Sequence, residues 1–201
     1  MDSQLKKAVI NHQQEKIKEY LKKLETDNSF SLASLIEDLL SLMLMECSLR
    51  YGSFHFVKMS LFLRELSQKN YFSRESELEI AGVVVLGLSE RHFINLEADS
   101  SGYKEKTQIA ESYQQFKDNF SPANYKDKLD FLFYNLDQNY KETVNYLHRL
   151  FAEYYNPSWN PHYYTGLYCA LGLYKSEKIN DNKVKKMAVI QAVEYFADNV
   201  L

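Results

Sequence analysis

At 201 residues, with 45% apolar and 25% charged side chains, the chain is long enough to bury a real core and too apolar for a disordered segment. Its net charge of −3 excludes a strongly basic, dedicated nucleic-acid binder. Six glycines and three prolines leave few sharp turns, which favours helices over a strand-rich sandwich. The expectation is one all-α domain spanning 1–201, an irregular bundle or stacked helical hairpins of seven to nine helices.

Residues 3–25 read as one amphipathic helix, with Leu5, Val9, Ile17, Tyr20, Leu21 and Leu24 at three- and four-residue steps. "SLASLIEDLLSLMLMECSLRYG" is apolar around most of its circumference and predicts a central helix from about Ser31 to Tyr51, stopped by Gly52. Ser53 then caps "FHFVKMSLFLRELSQK", which Asn70 and Ser73 punctuate. A fourth helix begins near Ser73, with Glu75, Glu77 and Glu79 in its first turns as the helix dipole prefers. It continues through "LEIAGVVVLGLSERHFINLE". Its three valines favour strand, but nothing nearby offers a pairing partner, so a buried helix interior is expected, with Gly87 a place where it could divide.

After a loop at 98–104, "EKTQIAESYQQFKDNF" reads as a polar helix with a thin stripe of Ile109, Tyr113 and Phe116. Ser121-Pro122 opens another, carrying Tyr125, Leu129, Leu132, Phe133 and Leu136 on one side. "NYKETVNYLHRLFAEYYN" follows with Val144, Leu147, Leu150, Phe151 and Tyr154 in step. Then comes "YYNPSWNPHYYTGLYC", with the only tryptophan, two of the three prolines and five of the sixteen tyrosines. Residues before proline are pushed towards extended conformations, so "NPSWNP" predicts a connector anchored by Trp159. Gly166 to Tyr174 reads as a buried helix, and Lys183 to Asn199 as the last amphipathic one, with its "KVKK" on a solvated face.

No catalytic motif stands out. Glu46, His55, Glu90 and His92 supply metal-ligating types, but no Glu-x-x-His occurs, so no metal or other cofactor is expected. Cys169 lies in the same region as His148 and His162, yet its apolar neighbours describe a packed thiol rather than a nucleophile. Gly-x-Ser-x-Gly and phosphate-cradling glycine loops are missing. Cys47 and Cys169 read as small buried hydrophobes of a reducing compartment. The opening "MDSQLKKAVINHQQEK" turns polar too early for a signal peptide, and no apolar run reaches membrane-spanning length. A cytoplasmic protein is expected, with no membrane or nucleic-acid partner.

Between Tyr71 and Ser100, six acids face two arginines, a local charge of −4. Such a surface steers a basic partner. The candidate partner-binding residues are therefore Glu75, Glu77, Glu79, Glu90, Glu97 and Asp99, with Tyr155, Trp159, His162, Tyr163 and Tyr164 from the aromatic stretch.

The succession of "LIEDLLSLMLMECSLRYGSFHFVKMSLFL", "AGVVVLGLSERHFINL" and "TVNYLHRLFAEYYNPSWNPHYYTGLYCALGLYKSEKIND" resembles the helical immunity proteins of bacterial polymorphic-toxin systems, of the type that neutralises DNase toxins. The resemblance runs over residues 35 to 181. It departs at Tyr168, where the family's second tryptophan falls, and in lacking a glutamate just after it. It implies a non-enzymatic protein that blocks a basic toxin, acids mimicking phosphate and aromatics anchoring the contact. Two other readings stay open: an enzyme or small-molecule binder with an aromatic pocket near 159–164, and a homo-oligomeric structural protein.

Overall fold

The computed structural model describes residues 3–46, 55–93, 108–154, 162–177, 179 and 181–200. Among them the chain is all-helical. Ten α-helices follow one another: α1 Ser3–Ile10, α2 Gln14–Thr26, α3 Leu32–Leu44, α4 His55–Gln68, α5 Arg74–Ser89, α6 Tyr113–Asn119, α7 Leu129–Gln138, α8 Tyr140–Glu153, α9 His162–Tyr174 and α10 Asn182–Val200. A 3-10 turn, Tyr125–Lys128, leads into α7. The only β-type pairing among the described residues is an isolated bridge between Glu46 and Phe93.

Ten helices exceed the expected seven to nine because the first amphipathic run is two helices. At their junction Gln13 N–H bonds the Ala8 carbonyl and His12 N–H bonds the Val9 carbonyl. These are the two bonds of a Schellman motif, which needs a left-handed residue between them. His12 fills that position at φ 53°. Its ring is held in turn, since Nδ1–H donates to the Ser89 carbonyl at 2.5 Å. Asn70, at φ 57°, closes α4 in the same way, with Asn70 N–H to Ser67 and Tyr71 N–H to Leu66. Asparagine tolerates this conformation better than most residues.

Side-chain caps set the starts. The Ser31, Ser73 and Ser112 hydroxyls accept the amides of Ser34, Ser76 and Gln115. The last of these explains a second correction. Residues 108–112 are not helical, although Ile109 fits the helical stripe. The buried Asn135 side chain accepts Ala110 N–H at 2.7 Å and donates to the Gln108 carbonyl at 3.2 Å. That pair of bonds keeps the segment out of a helix, and α6 starts only after Ser112. Likewise Asn124 Oδ1 takes the Ser121 amide at 2.7 Å, making a turn where an α-helix was expected to open. The helix from Ser31 ends at Leu44 rather than near Tyr51, and α5 stops at Ser89 instead of reaching Glu97. The expected Gly52 stop and Ser53 cap lie outside the described residues.

α5 is the spine of the N-terminal half. At its start Arg74 donates to the carbonyls of Leu24 (2.7 Å), Asp27 (2.6 Å) and Phe30 (3.0 Å), and its guanidinium lies 4.7 Å from the Phe30 ring centre. At its end Ser89 meets His12 and Gln14. α2 therefore runs antiparallel to α5. α4 does the same on another side, with Ser67 bonded to Glu77 at one end and Phe56 against Gly87 at the other. α3 packs on α4 and α5, and α10 links α3 to α9. In the second half the Tyr140 hydroxyl ties α8 to the Leu171 carbonyl of α9, and Phe151 of α8 meets Phe196 of α10 at 3.9 Å. The buried apolar residues of both halves form one continuous cluster.

Candidate functional site

The outer face of α5 carries the expected acids, but not all together. Glu75, Glu79 and Glu90 are exposed. In helical projection Glu75 and Glu79 lie four residues apart on one stripe, and the stripe continues through Val83 towards Glu90. Glu90 caps the far end, about 16 Å along the axis from Glu79 at 1.5 Å per residue. Glu77 points elsewhere. Its carboxylate accepts the buried Ser67 hydroxyl of α4, so it belongs to the α4–α5 contact and not to the outer face. Glu97, Asp99, Tyr155 and Trp159 lie outside the described residues. So do the side chains of His162, Tyr163 and Tyr164, whose backbone opens α9.

The structure adds residues that charge counting missed. Glu25, at the end of α2, joins Glu75 and Glu79 around an open groove of about 540 Å³ that also touches Leu78 and Arg74. Arg74 is held by three carbonyls of the α2–α3 turn and keeps its charge beside the rim, so three carboxylates there meet one guanidinium. Asp27 beside it is held below the usual carboxylate range, first by the Ser29 hydroxyl, then by the Ser29 amide and Arg74.

Apolar groups accompany the acids. Val83 is 72% exposed, and Met59 and Phe62 of α4 are each 59% exposed. The antiparallel register of α4 and α5 sets Met59 level with Val83. Helical projection puts both on the outward edge of the α4–α5 contact, about 70° from the facing direction at 100° per residue. The expectation of a buried helix through "VVV" holds for Val84 and Val85 and fails for Val83.

The chemistry weighed for the second half resolves differently. Cys169 carries a free thiol, and burial pushes it up to about 11. A thiol that stays protonated at neutral pH is not an activated nucleophile. The nearby Lys58 donates to the Thr165 hydroxyl at 2.8 Å. His148 faces Tyr168, not the thiol, with ring centroids 3.9 Å apart. Glu46 is 1% exposed and pairs with Arg91 at 3.4 Å, which places it in the packing of the α3 and α5 ends. Among the described residues no three His, Cys, Asp or Glu side chains gather as a metal cluster, and no helix is long and apolar enough to cross a membrane.

No protein-family model, no characterised protein and no solved structure matches the chain.

Proposed function

We propose that this is a non-enzymatic protein-binding module that engages a basic partner through the outer face of α5. The observation that carries the proposal is the joint exposure of Glu75, Glu79, Val83 and Glu90 on one stripe, with Met59 and Phe62 exposed on neighbouring α4. Acids accelerate encounter with a cationic surface, and desolvated apolar anchors supply most of the residence time. A patch combining the two fits a protein surface better than a small substrate, for the groove at Glu25, Glu75 and Glu79 is wide open to solvent. The immunity-protein resemblance extends this reading to a partner class, a basic nuclease toxin met in the cytoplasm.

The test is co-purification with, and growth protection against, a nuclease toxin encoded beside this chain. Glu75→Lys with Glu79→Lys is expected to slow association at least tenfold at low salt, with the difference shrinking as ionic strength rises. Val83→Asp is expected to speed dissociation instead. Unchanged kinetics in both variants would sink the assignment of the α5 face, and the lack of any neighbouring toxin that binds would sink the inhibitor reading.

A further inference from the structure

The turn between α1 and α2 sits against the C-terminal end of α5, and two histidines meet there. In sequence His92 stands with Glu90, but across the fold its ring neighbour is His12. Both histidines are exposed, and their ring centres lie 6.2 Å apart with the planes at 70°. His12 is fixed in two ways. Its backbone holds the left-handed position of the turn at φ 53°, and its Nδ1–H donates to the Ser89 carbonyl at 2.5 Å. A carbonyl only accepts, so the proton of the neutral ring stays on Nδ1 and Nε2 carries the lone pair. Proteins hold ligating imidazoles in this way, with the second nitrogen tied to a backbone carbonyl that sets the tautomer and the ring direction. A backbone kept in a sparsely used region by a contact from another element is also where functional constraints gather.

The ring separation suits one shared ion. A ligating imidazole nitrogen sits about 2.0–2.1 Å from zinc, which puts each ring centre roughly 3.2 Å from the metal. Two such rings are about 5.2 Å apart at a tetrahedral angle and about 6.4 Å apart when opposed. The observed 6.2 Å falls inside this span. Rotation of the exposed His92 side chain then aims a nitrogen at an ion held on His12. The setting also favours a cation. α1 and α5 both end at this turn, and the C-terminal ends of helices carry partial negative charge. The exposed Glu90 caps α5, while Arg91 is paired with Glu46 at 3.4 Å and lies over the Phe56 ring at 5.8 Å.

We propose that His12 and His92 form a two-histidine site for a divalent transition-metal ion, which clasps the α1–α2 turn to the end of α5. Imidazole nitrogens select zinc, nickel or copper over magnesium and calcium, which take oxygen ligands. Two protein ligands leave the remaining positions to water, so the ion is exchangeable, unlike the four-ligand closed centre of a structural zinc site. The site is separate from the acidic stripe, since neither histidine lies on the Glu75–Glu79–Val83 line of α5.

The experiment is NMR of the full chain, with the histidine ring protons assigned, on titration with nickel(II), zinc(II) and magnesium(II) in a buffer that does not bind metals. Substoichiometric nickel is expected to broaden the His12 and His92 ring signals before those of the other histidines, and zinc to shift both rings with one ion per chain. His92→Ala, at an exposed position, should weaken zinc binding at least about tenfold. His12→Asn keeps a residue tolerant of positive φ in the turn and should weaken zinc equally, with helical circular dichroism unchanged. Zinc should raise the thermal midpoint of the parent and leave that of His92→Ala where it was. The Glu75→Lys, Glu79→Lys variant should bind zinc as the parent does, which separates this site from the α5 face. Broadening that begins at another histidine, zinc affinity unchanged in either histidine variant, or saturation by magnesium at the same concentrations would each overturn the proposal.

Discussion

His148 shows how one side chain's surroundings set a property of the protein. Its Nε2 is buried without a hydrogen-bond partner among the described residues, and its ring packs on Tyr168. Burial disfavours the imidazolium, so its pKa lies below the ordinary value of 6.5. The unfolded chain then binds this proton more readily than the folded one. Stability from His148 is fully present above pH 6.5 and is lost as pH falls through the lower folded value. Asp27 and Glu153 are also depressed, Glu153 chiefly by Lys117, but both are carboxylates that titrate further into acid. Urea midpoints at pH 7.5 and 5.5, compared between the parent and His148→Phe, separate this histidine from the other four in the chain. The parent is expected to lose stability between them, and His148→Phe to lose clearly less. An equal loss in both proteins would place the acid sensitivity elsewhere. Nothing in "NYLHRLF" announces this, because a histidine's protonation depends on what packs against it.

At the scale of the element, α5 carries two glycines with opposite surroundings. A Cβ at Gly82 would meet nothing within 4 Å, whereas one at Gly87 would sit 3.3 Å from Phe56 Cε2. Alanine is favoured over glycine inside a helix by about 1 kcal/mol. Gly82→Ala should therefore stabilise the protein by about 0.5–1 kcal/mol in chemical denaturation. Gly87→Ala carries the same helical gain, offset by pushing the Phe56 ring, and should gain less than Gly82→Ala or lose. A larger gain at position 87 would show that the α4–α5 contact is looser than the 3.3 Å approach implies. The same helix explains the miss at Val83. The three valines share a composition but not a direction, and Val83 follows Glu79 by four residues, on the exposed stripe. That spacing was present in the sequence, but the apolar run drew attention to hydrophobicity rather than to phase.

Across the whole molecule, α10 joins parts that lie far apart in the chain. It packs on α3 and α9, and its Phe196 meets Phe151 of α8 with both rings almost fully buried. Phe196→Ala should cost about 3–5 kcal/mol, the usual range for removing a buried aromatic ring. Since the buried residues form one cluster, unfolding followed by helical circular dichroism and by Trp159 fluorescence should keep a common midpoint in this variant. Separate midpoints would mean that the halves on either side of residues 94–107 unfold independently.

The all-α class, the helix starts near Ser31 and Ser73, the stop at Asn70 and most core faces were legible in the sequence. Each depends on local rules: the 3.6-residue period, a hydroxyl reaching an amide three residues on, a residue that accepts positive φ. The acids of α5 were legible too, as composition. Tertiary structure decided what local rules cannot express. The Ser89 carbonyl holds the turn at His12 from 77 positions away, and Asn135 keeps 108–110 out of a helix from 25 positions away. Contact with Ser67 removed Glu77 from the acidic face, while the α2–α5 packing brought Glu25 to it. Lys185 and Lys186 of "KVKK" read as part of a solvated run until α7 and α9 supplied the other walls of a cleft beside them. The reason is common to all of these. A residue's type and phase are properties of its own segment, but its charge environment and burial are set by whichever segments pack against it.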